Sequence, residues 1–256
     1  MQRVLTALVA IPVVVLLIKY SPDWLFALVI GVVSAAAADE FLELAAKKGI
    51  GRPGRWFIAM AAFVTMSFNG GGYSLPMTLA VTTIVLMTAT IFSPPIETAL
   101  GRVGMGLGAI GYCAVTLGFV VMMPRDLIFV LLAIIWAGDT AAYYGGRALG
   151  RHLLAPRVSP KKTIEGSIAG LLASVIAGTV GGVWYLGEPS SRWLTFAVLS
   201  LVTAIAGQAG DLAESVLKRS ASVKDSSSVL PGHGGILDRL DSLFFAAPVF
   251  YWFFKA

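Results

Sequence analysis

Apolar stretches of about twenty residues recur along the whole chain, and they constrain its fold more than any other feature. A helix needs about 20 apolar residues to cross the roughly 30 Å hydrocarbon core of a bilayer. We predict nine such helices, at residues 4–19, 23–44, 56–72, 75–93, 104–123, 126–146, 166–186, 192–212 and 239–255. Only 13% of the residues are charged, about half the share found in soluble domains. The sequence therefore predicts an all-α, polytopic integral membrane helical bundle, which we treat as a single membrane domain over residues 1–256.

The basic residues test this count, because cytoplasmic loops of membrane proteins are enriched in lysine and arginine. With nine spans and the N-terminus inside, 15 of the 19 basic residues fall on the cytoplasmic side. The four outside are Lys19, Arg125, Arg192 and Lys255. Adding or removing one span would exchange the sides of every later loop, so the prediction is N-in and C-out. Topology also explains the net charge of +5 without a nucleic-acid partner.

The N-terminal segment resembles a signal peptide, because Arg3 precedes an apolar run. No small-residue cleavage site follows that run, so we expect an uncleaved signal anchor.

Acidic residues concentrate at one side of the predicted bundle. Charge at membrane depth is costly and indicates function by default. Within or next to the spans lie Asp39, Glu40, Glu43, Asp139, Asp211, Glu214, Asp238 and Asp241, all in the predicted cytoplasmic half. A transporter needs polar groups leading to both faces, whereas an enzyme that joins a lipid to a cytosolic substrate needs a pocket open to one side. The asymmetry favours the enzyme, and a membrane transporter is the alternative from another class.

The residue types point to phosphate chemistry. Hard carboxylate oxygens suit Mg²⁺, which takes one or two protein carboxylates and leaves room for phosphates. Lysine and arginine neutralise charge on a transferring phosphoryl group, and glycine turns before a helix let backbone N–H groups approach an anion. A zinc site is disfavoured, because Cys113 is the only cysteine and the two histidines are far apart in the sequence.

Residues 215–241 resemble the signature of the phosphatidate cytidylyltransferase family, also called CDP-diacylglycerol synthases. The family pattern is S-x-x-K-R, four residues, K-D, a short gap, and P-x-H-G-G-x-x-D-R-x-D. Its fixed positions here are Ser215, Lys218, Arg219, Lys224, Asp225, Pro231, His233, Gly234, Gly235, Asp238, Arg239 and Asp241. A second block at 138–166 is similar to the family's D-x-x-A-Y-x-x-G-R and S-P-K-K-T-x-E-G segments. Ser226, Ser227 and Ser228 stand where we expect glycine or an aromatic residue in many members.

The resemblance divides the chain into two parts. Residues 126–256 contain the specific motifs and form the expected catalytic half, with its site on the cytoplasmic face. Residues 1–125 match mainly by hydrophobicity, together with an acidic-aromatic "DEF" at 39–41.

The resemblance implies transfer of CMP from CTP to phosphatidic acid, giving CDP-diacylglycerol and pyrophosphate. It implies Mg²⁺ held by Asp211 and Asp238, supported by Asp241, and it leaves a second, monovalent cation open. Lys218 and Arg219 are assigned to catalysis. The implied substrate contacts are Ser215, Lys224, Arg239, His233, Gly234, Gly235, Lys161, Lys162 and Arg147. The resemblance further implies a bacterial inner-membrane protein, in contact with membrane lipids and forming a homodimer.

Several of these features also have other readings. A CTP-dependent lipid kinase, or a cytidylyltransferase for another lipid phosphate such as an archaeal ether lipid, would need similar residues. Structural readings also stand. Asp211 and Glu214 could pair with Lys218 at a solvated helix end, and residues 238–241 could cap a helix. The remaining structural readings concern His233 as a turn residue, Asp39, Glu40 and Glu43 as a structural polar cluster, Lys47, Lys48, Arg52 and Arg55 as topology determinants, and Tyr143 and Tyr144 as interfacial aromatics.

Overall fold

The computed structural model describes residues 2–227 and 234–255, with side chains from residue 11 onward. Helices make up most of it, and each of the nine predicted spans overlaps helical structure. The helices are α1 (Gln2–Tyr20), α2 (Asp23–Lys47), α3 (Phe57–Met66), α4 (Leu75–Ile91), α5 (Ala99–Ala109), α6 (Thr116–Met122), α7 (Arg125–Leu149), α8 (Ile164–Val180), α9 (Trp193–Ser220) and α10 (Leu237–Lys255). Short 3₁₀ turns at Ile96–Thr98 and Ser190–Arg192 precede α5 and α9, and π-helical turns at Ile110–Val115 and Gly181–Tyr185 follow α5 and α8.

Within the described residues, five helical segments are long and apolar enough to cross a membrane. They are Asp23–Lys47, Ile96–Met122, Arg125–Leu149, Ile164–Tyr185 and Ser190–Ser220. Shorter apolar helices occupy Ile11–Tyr20, Phe57–Met66 and Leu75–Ile91. The chain is therefore a helical membrane protein, as predicted. The number of nine spans and the N-in, C-out orientation stay predictions.

A small antiparallel hairpin departs from the all-helical expectation. Strand β1 (Leu153–Ala155) pairs with β2 (Ser159–Thr163), and Leu153 lies opposite Thr163. The segment between α7 and α8 contains Pro156 and Pro160, which interrupt a helix, and strand pairing satisfies backbone groups that a helix would otherwise satisfy. The hairpin contains the "SPKKT" motif.

The chain divides into two compact units. Unit 1 comprises Met1–Met122 and Ser220–Leu240, and unit 2 comprises Met123–Arg219 and Asp241–Ala256. In unit 1, α2 packs against α3, α5, α6 and the π-helical turn at Ile110–Val115. Phe26, Phe57 and Phe68 are among its most fully buried side chains.

In unit 2, a stripe of small residues brings α8 close to α7. The stripe recurs at every fourth position of α8, and all four members are buried: Gly166, Gly170, Ser174 and Gly178. A methyl group on Gly170 would lie 2.9 Å from the carbonyl oxygen of Gly138 in α7. The Ser174 hydroxyl donates to the carbonyl oxygen of Ile134 at 2.8 Å. Small residues at such contacts let two membrane helices approach closely, and this packing forms one side of the pocket described next.

Candidate active site

Unit 2 contains a cavity of about 620 Å³, here called the pocket. Helices α7, α8, α9 and α10 and the hairpin all contribute to its wall. Its charged lining residues are Asp139, Arg147, Lys161, Lys162 and Asp211. The sequence predicts four of these five as site residues and assigns no role to the fifth, Asp139.

Lys162 and Asp211 form an ion pair inside the pocket. The Lys162 ammonium on β2 donates to Oδ2 of Asp211 on α9. Both side chains are about one-third exposed or less, at 30% and 27%. The pair ties the hairpin to α9 and holds one cation against the carboxylate that the sequence assigned to a metal. Of the alternative that pairs Asp211 and Glu214 with Lys218, the structure has the Glu214–Lys218 pair, with Glu214 buried rather than solvated; Asp211 pairs with Lys162.

Three carboxylates from three helices lie in or beside the pocket wall of unit 2. Asp139 of α7 and Asp211 of α9 line the pocket, and Asp241 of α10 directly precedes Ser242, which also lines it. Close packing of α9 on α10 explains this arrangement, since a methyl group on Gly210 would lie 2.5 Å from the Asp241 carbonyl oxygen. Like charges raise one another's energy unless a cation is shared among them. The donor chemistry therefore fits a hard cation such as Mg²⁺.

Across residues 2–227 and 234–255, no group of three or more histidine, cysteine, aspartate or glutamate side chains converges closely enough to enclose a metal.

Hydrogen bonds around the pocket hold its wall in place. Gln208 of α9 donates from Nε2 to the Ser167 carbonyl oxygen at 3.1 Å and accepts from the Ser167 hydroxyl. Thr163 caps α8, its hydroxyl accepting from the Gly166 N–H at 3.1 Å. Sequence reasoning missed Ser167 and Gln208. A capping threonine directly before an apolar run was the available signal for Thr163.

The hairpin and the two residues before it have further attachments within unit 2. Glu165 Oε2 accepts from the backbone N–H groups of Arg151 and His152 at 3.1 and 3.2 Å. The guanidinium of Arg219 donates from Nε to the Val158 carbonyl oxygen at 3.2 Å. In this structure Arg219, assigned to catalysis from the sequence, therefore supports the hairpin that contains Lys161 and Lys162.

In unit 1, Asp238 lies in the first turn of α10 and accepts several hydrogen bonds. Its Oδ2 accepts from the N–H of Ser226 at 3.0 Å, the hydroxyl of Ser226 at 2.9 Å and the N–H of Gly235 at 2.8 Å. The neighbouring Gly234 has a φ of +80°, which favours glycine. Asp238 thus accepts hydrogen bonds at the start of α10, which is the structural role that the sequence analysis gave as an alternative. Its metal role stays a prediction.

Glu40 separates from its two acidic neighbours on α2. Asp39 and Glu43 both pair with Arg52, at 2.5 and 2.8 Å. Glu40 is 6% exposed and accepts instead from Ser226, Ser227, Ile236 and Leu237. The predicted single acidic cluster is two separate clusters, because residues 39 and 43 lie about 40° apart around the helix, whereas residue 40 lies about 100° from residue 39 and about 60° from residue 43.

The remaining predicted site residues have simpler surroundings. Lys218 pairs with Glu214, which is completely buried one turn earlier on α9. Lys224 and Arg239 are exposed and Ser215 is half-buried. Tyr143 lines the pocket and meets Tyr144 edge to face at 5.2 Å between ring centroids. His233 lies outside the described residues.

The fold and the pocket define the class of protein. It is a helical membrane protein whose pocket is lined by carboxylates and basic side chains. A family model described as "Cytidylyltransferase family" matches residues 1–256. The chain therefore belongs to the cytidylyltransferase family and is a nucleotidyltransferase enzyme.

Named relatives agree along almost the full length. The phosphatidate cytidylyltransferase of Pseudomonas aeruginosa is 35% identical, with 97% of this chain and 94% of the relative covered. That of a Synechocystis species is 32% identical, with 98% and 95% covered. That of Bacillus subtilis is 29% identical, with 98% and 96% covered.

Proposed function

We propose that this protein is a phosphatidate cytidylyltransferase, which transfers CMP from CTP to phosphatidic acid in phospholipid biosynthesis. The observation that carries the proposal is the pocket of unit 2, where Asp139 and Asp211 lie together with Lys161, Lys162 and Arg147. Full-length relatives with that name support it.

The reaction is a displacement at the α-phosphorus of CTP. A phosphate oxygen of phosphatidic acid forms a bond to that phosphorus, and the bond to the oxygen bridging the α- and β-phosphates breaks. The products are CDP-diacylglycerol and pyrophosphate, which takes the bonding electrons. The attacking phosphate is already ionised at neutral pH, so no strong base is needed. Rate enhancement then depends on orientation and on neutralising negative charge.

The basic residues of the pocket suit that task. Lys161, Lys162 and Arg147 line the cavity and would hold CTP phosphates or the lipid head group. By their positions in the family signature, Lys218, Arg219, Lys224 and Arg239 would also serve the phosphates, together with Ser215, His233, Gly234 and Gly235. Gly235 has a local reason to be glycine, since a side chain there would overlap Ser226 and Glu40.

Asp211 and Asp238 are proposed to hold Mg²⁺, with Asp241 in support, on the basis of the family resemblance and of their carboxylate chemistry. Bound Mg²⁺ would neutralise phosphate charge and orient the triphosphate. When the triphosphate enters, its charge would compete for Lys162, and this would release Asp211 from the ion pair in which it now lies.

The proposal includes the location of the protein and its assembly. The pattern of basic residues and the resemblance support a bacterial inner-membrane enzyme whose site faces the cytoplasm, where CTP is found. A homodimer is proposed on the resemblance alone. A monovalent cation beside Mg²⁺ is a further part of the proposal that experiments with varied salt can test.

Pyrophosphate release tests the function directly. Purified protein with CTP and Mg²⁺ should release pyrophosphate only when phosphatidic acid is added. Release that instead requires a different lipid phosphate would move the protein to another cytidylyltransferase specificity. Phosphatidate-dependent formation of CDP without pyrophosphate would replace the proposal by a lipid kinase.

A further inference from the structure

Glu40 accepts hydrogen bonds from two segments that lie far from it in the sequence. The hydroxyls of Ser226 and Ser227 donate to its carboxylate at 2.8 and 2.7 Å, and the N–H groups of Ile236 and Leu237 donate at 3.0 and 2.9 Å. The separation in sequence reaches 197 residues. These two short donor segments, Ser226–Ser227 and Gly235–Leu237, are called here the anchored segments.

The energetics of these contacts favour a strong attachment. Backbone N–H groups at a helix start have no partner inside the helix, and the positive end of the helix dipole favours an anion. Glu40 supplies that anion at the start of α10 from a buried position, with 6% exposure. Hydrogen bonds to a charged acceptor are worth about twice a neutral one, and burial removes the competition from water.

The shape of the surroundings is equally specific. Gly235 packs so closely that a methyl group there would overlap both the Ser226 hydroxyl and the Glu40 carboxylate. A larger residue at position 235 would therefore push the anchored segments away from Glu40.

Asp238 depends on the same anchored segments. It follows Leu237 directly, and its Oδ2 accepts from Ser226 and Gly235. The Ser226 hydroxyl lies within hydrogen-bonding distance of both carboxylates, 2.8 Å from Glu40 and 2.9 Å from Asp238. Because a hydroxyl has one proton, the two acceptors share it and their positions are coupled.

We infer that Glu40 is a positioning residue for Asp238, holding the anchored segments so that the Asp238 carboxylate has one fixed orientation. Glu40 would act on turnover through these segments, with which it makes its hydrogen bonds. The inference rests on the proposed metal role of Asp238 for its effect on activity, while the attachment itself is independent of that role.

The test uses the full-length protein in lipid nanodiscs and the variant Glu40→Gln, which keeps the shape but replaces an acceptor oxygen by a donor. Hydrogen–deuterium exchange of the backbone amides at residues 234–240 should accelerate by about tenfold or more, as expected for loss of a charge-assisted hydrogen bond. The Mg²⁺ concentration for half-maximal activity should rise by a similar factor, with a smaller change in KM for CTP.

Glu43→Gln is the matched control, because Glu43 lies three residues further on α2 and pairs with Arg52 instead. It should leave exchange at 234–240 and the Mg²⁺ dependence unchanged. Ser227→Ala removes a single donor and provides a milder variant if Glu40→Gln folds poorly. It should accelerate the same amides by a smaller factor.

Unchanged exchange in both Glu40→Gln and Ser227→Ala would overturn the inference, as would equal acceleration in Glu43→Gln. Accelerated exchange with an unaltered Mg²⁺ dependence would also overturn it, by reducing Glu40 to a structural residue. The variant Asp238→Asn separates the positioning role of Glu40 from the proposed metal role of Asp238. If that variant retains turnover, the metal assignment fails, whereas the exchange data still decide whether Glu40 holds the segments.

Discussion

Lys162 and Asp211 form the contact on which the chemistry of the pocket most depends. The two residues form an ion pair with each other in this structure. During turnover, Lys162 is proposed to bind phosphate and Asp211 is proposed to bind Mg²⁺. The pair therefore keeps two charges compensated until CTP arrives. A partly shielded pair of this kind is worth little to stability, so its substitution should affect catalysis more than folding.

Lys162→Met should raise KM for CTP by roughly tenfold to a hundredfold, since a hydrogen bond to a charged group contributes about 1.5–3 kcal/mol. Steady-state kinetics with varied CTP measure this change. Lys48→Met is the control, because Lys48 is an exposed lysine of unit 1 outside the motifs. Equal KM values for the wild type and Lys162→Met would remove Lys162 from the CTP site.

Asp211→Asn should lower kcat by about a hundredfold or more, while insertion into the membrane and the thermal unfolding temperature stay unchanged. The amide keeps the shape but loses the charge that a metal requires. Asp126→Asn provides a matched change. Asp126 accepts a hydrogen bond of 3.1 Å from the Tyr185 hydroxyl, and it is not among the residues that line the pocket. Activity of Asp211→Asn within a few-fold of Asp126→Asn would contradict the metal assignment.

At the scale of elements, the sequence predicts helices well because hydropathy over about twenty residues is a strong signal. Helix α3 ends at Met66, six residues before the predicted span does, and the glycines at 70–72 all have positive φ. The hairpin was not predicted, since strands of three and five residues are too short for a periodic pattern. The partners of Glu40 were not predictable either, because nothing local connects residue 40 to residues 226–237.

Packing of α8 on α7 should be sensitive to a single methyl group. Gly170→Ala places a carbon 2.9 Å from a backbone oxygen and 3.1 Å from the Ala142 side chain, so we expect destabilisation of about 1–3 kcal/mol. Thermal unfolding in detergent measures it. Gly104→Ala meets nothing within 4 Å and should be neutral or slightly stabilising. A Gly170→Ala variant as stable as Gly104→Ala would contradict the close helix contact.

At the scale of the whole molecule, the motif at 215–241 predicts the family and the reaction from the sequence alone. It does so because all fixed residues of the signature are present within one short segment. Membrane topology is a different kind of prediction, because it depends on a count of basic residues over many loops and no single residue decides it.

Single cysteines test the predicted sidedness in a Cys113→Ala background, which removes the one native cysteine, a buried residue. Lys48→Cys should be protected from a membrane-impermeant maleimide in intact cells and become reactive after lysis. Ser190→Cys should react in intact cells. Both positions are exposed. The reverse pattern would overturn the N-in orientation, and equal labelling of both in intact cells would overturn the nine-span count.

Transfer of the nucleotide is the central claim, and the fate of the phosphorus atoms of CTP tests it most directly. The purified protein receives phosphatidic acid, Mg²⁺ and CTP labelled in separate reactions at the α- or the γ-phosphorus. We predict that α-label appears in a lipid product in equal amount to the pyrophosphate released, and that γ-label appears only in pyrophosphate. Transfer of γ-label to lipid, or pyrophosphate release without α-labelled lipid, would contradict the account.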